Sequence, residues 1–337
     1  MKQCKVLGFG SPILDLLVRV DDSFLREHVS GEKGGMGMLS AQEQKELIGY
    51  FPEGSLRKAI GGSSFNTISA LASLKVPTSF LGTLGGDADG DYYRESFAAK
   101  GGDVSRFRVT EKAPTATCIS MVTPDSERTM RTHLGAALLF DGQDLSGKDF
   151  ESITHLHVEG YTLFLENEMT ERVMSLAKEH GCTVSFDLAS FEVVQIFRSR
   201  IRDLLEKYVD LVFANEDEAR QFCSPDRELN VEEALKSLRE LCPAAVVKVG
   251  KKGSCISCGA EKSVFVKPAL VRAVDTTGAG DLYQAGFLYG YLLGYTPEQA
   301  GEMGSVLGAE IVQVMGAQIP EERWSVIQEK FNQIKGA

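Results

Sequence analysis

The sequence predicts an α/β protein of three layers, a mainly parallel central sheet flanked by helices, with a small β-sheet lid added. From residue 153 onward, short apolar runs alternate with helical patterns, and such βα repetition builds a parallel sheet with helices on both faces. Between Phe107 and about Arg131 the pattern changes to strands parted by turns at Ala113-Pro114 and Pro124-Asp125, which suits a separate small sheet. Across 337 residues no repeat, low-complexity tract or linker intervenes, so residues 1–337 are expected to form one domain, with the lid drawn from roughly 12–58 and 104–134.

In order, Cys4 to Phe9 reads as a buried strand, and Gly10-Ser11-Pro12 turns the chain into Ile13–Val20, an apolar run broken by one acid, Asp15. Asp15 is either a strand-end carboxylate facing solvent or a group kept for a ligand. Gly31 to Ser40 is too glycine-rich for a packed helix and reads as a loop with a short strand near Met36. Ser40-Ala41-Gln42-Glu43 has the form of a capping box and opens a helix to about Tyr50. Gly61-Gly62 is a turn that enters an apolar-periodic helix through the hydroxyl residues Ser63 and Ser64. Thr78 to Leu84 is a strand, followed by an amphipathic helix that stops at Gly101-Gly102. Arg128 and Arg131, at the end of the lid region, either face a ligand or form a solvated pair.

Ile153–Val158, Thr183–Asp187 and Leu211–Ala214 then read as strands, and Asn167 to His180 as a helix. His155 and His157 share one side of a strand but have no third ligand at suitable spacing, so they are expected to be structural. Asn215-Glu216-Asp217-Glu218 follows a strand directly, at the carboxyl edge where open α/β sheets bind ligands, although the helix dipole alone would account for its acids. Val246 to Ser254 is a strand and glycine turn, and Gly304 to Val312 is a helix with one small-residue face.

The most informative stretch is Asp275-Thr276-Thr277-Gly278-Ala279-Gly280-Asp281, which runs straight into a helical pattern from Leu282 to Leu293. Gly278 to Asp281 should be that helix's first turn. Its backbone N–H groups lack intrahelical partners, small residues let an anion approach them, and the positive end of the helix dipole favours negative charge there. Asp281 is then either a helix cap or a base beside that anion.

These residues resemble the ribokinase-like (PfkB) family of carbohydrate and nucleoside kinases, in which an acid-Thr-x-Gly-Ala-Gly-Asp segment precedes a small-residue helix. The Gly61-Gly62-Ser63-Ser64-Phe65-Asn66 stretch resembles the family's first signature, in the form carried by adenosine-kinase-like members. The resemblance covers nearly the whole chain. It implies the ribokinase-like fold and transfer of the γ-phosphoryl group of ATP to a primary hydroxyl of a ribose-type substrate. In the roles it implies, Asp281 takes the hydroxyl proton, while Gly278, Ala279 and Gly280 form the anion hole. Asp15 binds sugar hydroxyls beside Ser11, where adenosine kinases usually carry Asn. Gly61, Gly62 and Ser63 touch the substrate through backbone amides, and Asn66 bonds its hydroxyls. Met36, Met130 and Leu134 line the base pocket, with Tyr161 and Phe191 as stacking walls.

On the nucleotide side, the same resemblance puts Asn215 and Glu218 at the phosphates and Mg2+. Lys248, Gly250 and Gly253 border the ATP, Gly308 and Val312 pack on the adenine, and Asp275 with Thr276 adjoins the phosphates and a monovalent cation such as K+. Adenosine is the first substrate it suggests. Another nucleoside, or a sugar such as ribose or fructose, stays open. A non-catalytic nucleotide-binding regulator is the contrasting class, against which the intact Asp281 and anion hole argue.

Composition narrows the partners. A net charge of −11 without a Lys/Arg cluster argues against nucleic acid, and no stretch reaches the ~20 apolar residues of a membrane span. The start of the chain lacks a leader-like apolar segment, and seven scattered cysteines without disulfide-framework spacing suit reduced thiols, so a cytoplasmic protein is expected. Cys255-x-x-Cys258 reads as a strand ending in a turn. A P-loop and the protein-kinase catalytic loop are both missing. Monomer and homodimer both remain open.

Overall fold

The computed structural model describes residues 4–125, 127–224, 229–259 and 262–336. The first three residues of the opening stretch lie outside them. In chain order the strands are β1 (Val6–Phe9), β2 (Ile13–Arg19), β3 (Met36–Met38), β4 (Arg57–Gly61), β5 (Thr78–Gly85), β6 (Phe107–Thr110), β7 (Ala116–Val122), β8 (Arg128–His133), β9 (His155–Glu159), β10 (Thr183–Asp187), β11 (Leu211–Asn215), β12 (Ala244–Lys248), β13 (Ser254–Cys258) and β14 (Val264–Val266). The helices are α1 (Asp22–His28), α2 (Ala41–Gly49), α3 (Ser63–Ser73), α4 (Ala88–Ala99), α5 (Met169–Glu179), α6 (Phe191–Lys207), α7 (Glu216–Cys223), α8 (Val231–Arg239), α9 (Ala279–Leu292), α10 (Pro297–Ile311) and α11 (Trp324–Gly336).

Among the described residues, nine strands form one sheet in the order β14-β13-β12-β11-β10-β9-β1-β5-β6, parallel from β12 to β6 and antiparallel at the β12/β13 and β13/β14 pairs. Both faces are buried, so consecutive strand residues enter opposite cores. Leu211, Phe213, Ala244 and Val246 pack with residues of α3, α9, α10 and α11, whereas Val212, Ala214, Ala245 and Val247 pack with residues of α5 to α8. That is the expected three-layer α/β architecture. His155 and His157 belong to the buried polar ladder of this sheet, bonded to Thr183 and Ser185 at 2.7 to 2.8 Å, and burial pushes both imidazoles down to about 3, so they are neutral.

Five strands of the described residues form a second sheet in the order β3-β8-β7-β2-β4. One face buries Leu14, Leu16, Ile119 and Met121 in a core shared with Leu25 of α1 and Leu47 of α2. The opposite face carries Asp15, in register with Cys118 and through it with Thr132 and Met38.

Two expectations about this sheet need correction. Phe107–Thr110 was expected in the lid, yet β6 pairs in parallel with β5 at the edge of the large sheet. The reason is Phe107, whose ring lies 5.7 to 6.2 Å from those of Phe80, Tyr93 and Phe97, an aromatic cluster of the main core. At its other limit the small sheet runs past residue 58, because β4 continues to Gly61. Arg131 is also neither solvated nor turned to a ligand. It lies three residues from Arg128 and so points to the other face of β8, where its guanidinium donates to the carbonyls of Ser30, Gly35 and Met130.

Candidate active site

The carboxyl ends of four neighbouring strands form a polar row: Glu159 ends β9, Asp187 ends β10, Asn215 ends β11 and Lys248 ends β12. Above this row α9 begins. Gly278 caps it in the left-handed region (φ 72°), backed by Ala317, and Ala279 and Gly280 form its first turn. The Ala279 N–H donates to Thr276 O at 3.2 Å, so that one of the three expected anion donors is engaged within the turn. Gly280 has no residue four positions earlier inside the helix to accept its N–H. The Lys248 ammonium stands 3.1 Å from where a Cβ on Gly280 would be, which adds a positive charge to the turn.

Asp281 is the third residue of α9 but does not cap it. Its carboxylate reaches across to α3, accepting from Ser63 Oγ at 3.0 Å and from Asn66 Nδ2 at 2.9 Å, while Thr67 Oγ1 donates to its backbone oxygen. Burial pushes its carboxyl up to about 6; Asn66 pulls down, Asp187 adds to the rise, and Lys248 and Ser63 also pull down. A carboxylate held this way is poised to take up a proton near neutral pH. Ser63 and Asn66, expected on the substrate, thus have polar atoms directed at Asp281.

Asp275 anchors the front of the same turn. Its Oδ1 accepts from Thr277 N and Oγ1 at 2.9 and 2.6 Å, and its Oδ2 from Gly316 N at 2.8 Å. These bonds outweigh burial and hold its carboxyl below the usual range. Arg128 reaches the turn from the small sheet, bonding Thr277 Oγ1 and, at 2.7 Å, Ser120 Oγ, with Asp15 Oδ2 at 3.9 Å. Asp15 lies deep beneath it; burial pushes its carboxyl up to about 6, with Arg128 opposing and Asp275 adding.

The Gly61-Gly62 turn is shaped by what surrounds it. A Cβ on Gly61 would sit 2.7 Å from Asp15 Oδ2, and Gly62, at φ 109°, presses against the Ser11 carbonyl. Ser11 itself donates its N–H to Glu159 Oε1 at 2.8 Å, and the Ser64 N–H donates to Oε2 at 2.6 Å. Glu159 thereby ties the loop after β1 to the start of α3; burial pushes its carboxyl up to about 7.

Asn215 and Glu218 form a reciprocal capping box at 2.6 to 2.8 Å that opens α7. Glu218 is only 3% exposed, and burial followed by the charge of Asp187 raises it to about 7. Lys248 lies 3.5 Å from Asp187 Oδ1. Burial alone would lower Lys248, but Asp187, Glu218 and Asp281 outweigh it and keep the ammonium charged.

Beside the glycine turn at the start of α9 lies a cleft of about 360 Å³ whose walls include Lys248, Gly250, Gly253, Thr276, Gly308 and Val312. The expected nucleotide-side residues Asn215 and Asp275 stand outside its walls, one at a strand end and one beneath the turn. On the acceptor side, Tyr161 lies in the turn after β9, where burial pushes its phenol up to about 12, and Phe191 begins α6 half-exposed at 49%. Met36 pairs in register with Met130 in the small sheet and is 58% exposed, and Leu134 follows β8. Glu159 and Asp187, absent from the sequence-predicted set, each close a strand, and collecting strand-end acids would have found them. Gln318, whose Nε2 donates to Asn66 Oδ1, has no local sequence signal that would mark it.

The model of the pfkB family carbohydrate kinases matches residues 43–324. A nucleoside kinase of Methanothermobacter thermautotrophicus is 30% identical over 280 residues, covering 80% of this chain and 85% of that one. An adenosine kinase of Dictyostelium discoideum is 26% identical over 341 residues, 95% and 98% of the two chains. The crystal structure of adenosine kinase from Sinorhizobium meliloti superposes with a TM-score of 0.85 at 30% identity, covering 97% of this chain and 99% of that one. With a family match over residues 43–324 and relatives 30% identical over most of its length, the chain belongs to the pfkB family of carbohydrate kinases, phosphotransferases that act on a hydroxyl acceptor.

Proposed function

We propose that this chain is an ATP-dependent adenosine kinase that phosphorylates the 5′-hydroxyl of its nucleoside in the cytoplasm. The observation that carries the reading is the Asp281 carboxylate, buried between Ser63 and Asn66 at the first turn of α9 with Lys248 beside it. In this reading Asp281 accepts the 5′-hydroxyl proton as the oxygen bonds to the γ-phosphorus. The bond from that phosphorus to the β–γ bridging oxygen breaks, and ADP leaves. Charge building on the transferred group meets the Gly280 N–H, the dipole of α9 and the Lys248 ammonium. Arg128 adds a positive charge from the small sheet.

Asp15, held between Arg128 and Gly61, is assigned to the ribose hydroxyls, since one carboxylate can accept from two vicinal hydroxyls. Ser11 and the Gly61-Gly62-Ser63 turn frame it, and Tyr161, Phe191, Met36, Met130 and Leu134 supply the apolar rim for a base. The cleft walled by Gly250, Gly253, Gly308 and Val312 is assigned to ATP.

Magnesium fits the buried acids. Asp187 and Glu218 offer hard oxygen donors, and with Asp281 they place three carboxylates around one lysine, an excess of negative charge that a divalent cation relieves. When bound it would neutralise phosphate charge. Both Glu218 oxygens accept from Asn215 and keep further lone pairs, so Glu218 would remain able to help hold the ion. The family resemblance would put a monovalent cation near Asp275, whose oxygens accept from Thr277 and Gly316.

The test is an ADP-release assay across adenosine, other nucleosides, ribose and fructose. Adenosine is expected to give far the highest kcat/KM. Equal or better turnover of a free sugar would overturn the nucleoside assignment and leave the kinase standing.

A further inference from the structure

We propose that Gln318 is a positioning residue that fixes the amide of Asn66 so that its NH2 group faces Asp281, an inference that rests on Asp281 being the proton acceptor. The argument follows a line of groups, each of which constrains the next. Ile60 belongs to β4, paired with Leu14, and its carbonyl oxygen can only accept. Gln318 must therefore point its NH2 group that way, and Nε2 donates to Ile60 O at 3.1 Å. The same NH2 group donates to Asn66 Oδ1 at 3.2 Å, while Ser69 Oγ donates to Gln318 Oε1 at 3.3 Å. With its oxygen taken, Asn66 has only its NH2 group to offer Asp281, and Nδ2 donates to Oδ2 at 2.9 Å. Turned the other way, Asn66 would bring its oxygen against a carboxylate and its NH2 group against another NH2 group.

The chain around Gln318 is fixed by the same site. Gly316 N donates to Asp275 Oδ2, and Ala317 backs Gly278. One segment therefore supports Asp275, the anion turn and, through Asn66, Asp281.

The other charged groups that face Asp281 are Asp187 from β10, Lys248 from β12 and Glu159 from β9, with Glu218 next to Lys248 and Asp187. None of these bonds Gln318. A neutral replacement of Gln318 therefore acts on Asp281 through the orientation of Asn66, whereas Gln318→Glu also adds a charge of its own.

The experiment measures single-turnover phosphoryl transfer against pH for wild type, Gln318→Met and Gln318→Glu, with KM values and thermal unfolding on the same preparations. Gln318→Met removes the donor while roughly keeping length. Gln318→Glu goes further, since a carboxylate cannot donate and draws the Asn66 NH2 group away from Asp281. The acidic limb of the rate is expected to move to higher pH by about one unit or more, the effect of losing a hydrogen bond to a charged group, with KM for ATP unchanged. A limb that stays at the wild-type pH in the folded variants, with only the melting temperature lowered, overturns the proposal and leaves Gln318 a packing residue. Should Gln318→Met not fold, Gln318→Leu, also neutral and without a donor, takes its place. Retention of a tenth or more of turnover by Asp281→Asn would instead remove the base assignment itself. Collapse of Asp281→Asn beside an unmoved limb in the Gln318 variants removes only the role of Gln318.

Discussion

Replacing Asp281 with asparagine separates a proton acceptor from a structural carboxylate, and the surroundings set what each would show. The carboxylate accepts from Ser63 Oγ at 3.0 Å and from Asn66 Nδ2 at 2.9 Å. Asn66 can only donate through its NH2 group, whereas the Ser63 hydroxyl donates or accepts, so a new amide can aim its oxygen at Asn66 and its NH2 group at Ser63 and keep both bonds. The substitution also removes a buried charge that Asp187 repels and Lys248 attracts. These changes oppose one another, and a net stability change within about 1 kcal/mol is expected, of either sign. Turnover should fall by roughly 10²–10⁴, the range for losing a positioned general base. In the wild type the rate should rise as pH rises through about 6, since the acceptor must be ionised. Measuring kcat and thermal unfolding on one preparation tests all of this. A folded variant that keeps more than about a tenth of wild-type kcat would refute the assignment of Asp281 as base.

Asp15→Ala should raise KM for the acceptor about ten- to over a hundredfold with KM for ATP little changed, from steady-state kinetics with each substrate varied, because a hydrogen bond to a charged group is worth roughly 1.5–3 kcal/mol. Arg128→Met should move the pH at which acceptor KM begins to rise on acidification to higher pH, because the guanidinium opposes the burial that lifts Asp15 to about 6; an unmoved profile would mean that Asp15 does not bind the acceptor as a carboxylate. Gly62→Ala should lower stability by about 1–3 kcal/mol in thermal unfolding, since φ 109° is strained for alanine and its Cβ would meet the Ser11 carbonyl.

The legible parts of the molecule were those written in short stretches. Ser40 to Glu43 announced a capping box and formed one, and Gly278 to Asp281 announced a helix entry that the structure places at the start of α9. Strand and helix periodicity carried the three-layer architecture because both faces of the large sheet are buried, which leaves unmistakable apolar runs. What escaped depends on pairing across the chain. Phe107–Thr110 alternates like a lid strand, and only the ring contacts of Phe107 with Phe80, Tyr93 and Phe97 send it to the large sheet. The opposed facing of Arg128 and Arg131 was available from strand parity. Gln318 has no local signature, because its meaning comes from Ile60 and Asn66, which are distant in sequence.

The central place of β1 in the large sheet imposes an order of assembly on a chain emerging from the ribosome. On one side β1 pairs with β5, which is made early, and on the other with β9, which is made much later. Until His155–Glu159 has been synthesised, one edge of Val6–Phe9 lacks its neighbour, and open strand edges invite pairing with the wrong partner. Closure of that edge also delivers Glu159, whose carboxylate takes the amides of Ser11 and Ser64. Asp281 and its anion turn arrive later still, from the last part of the chain. An unfinished polypeptide therefore holds Asp15 and Glu159 without Asp281, and the site proposed for phosphoryl transfer is complete only once the last part of the chain has joined it.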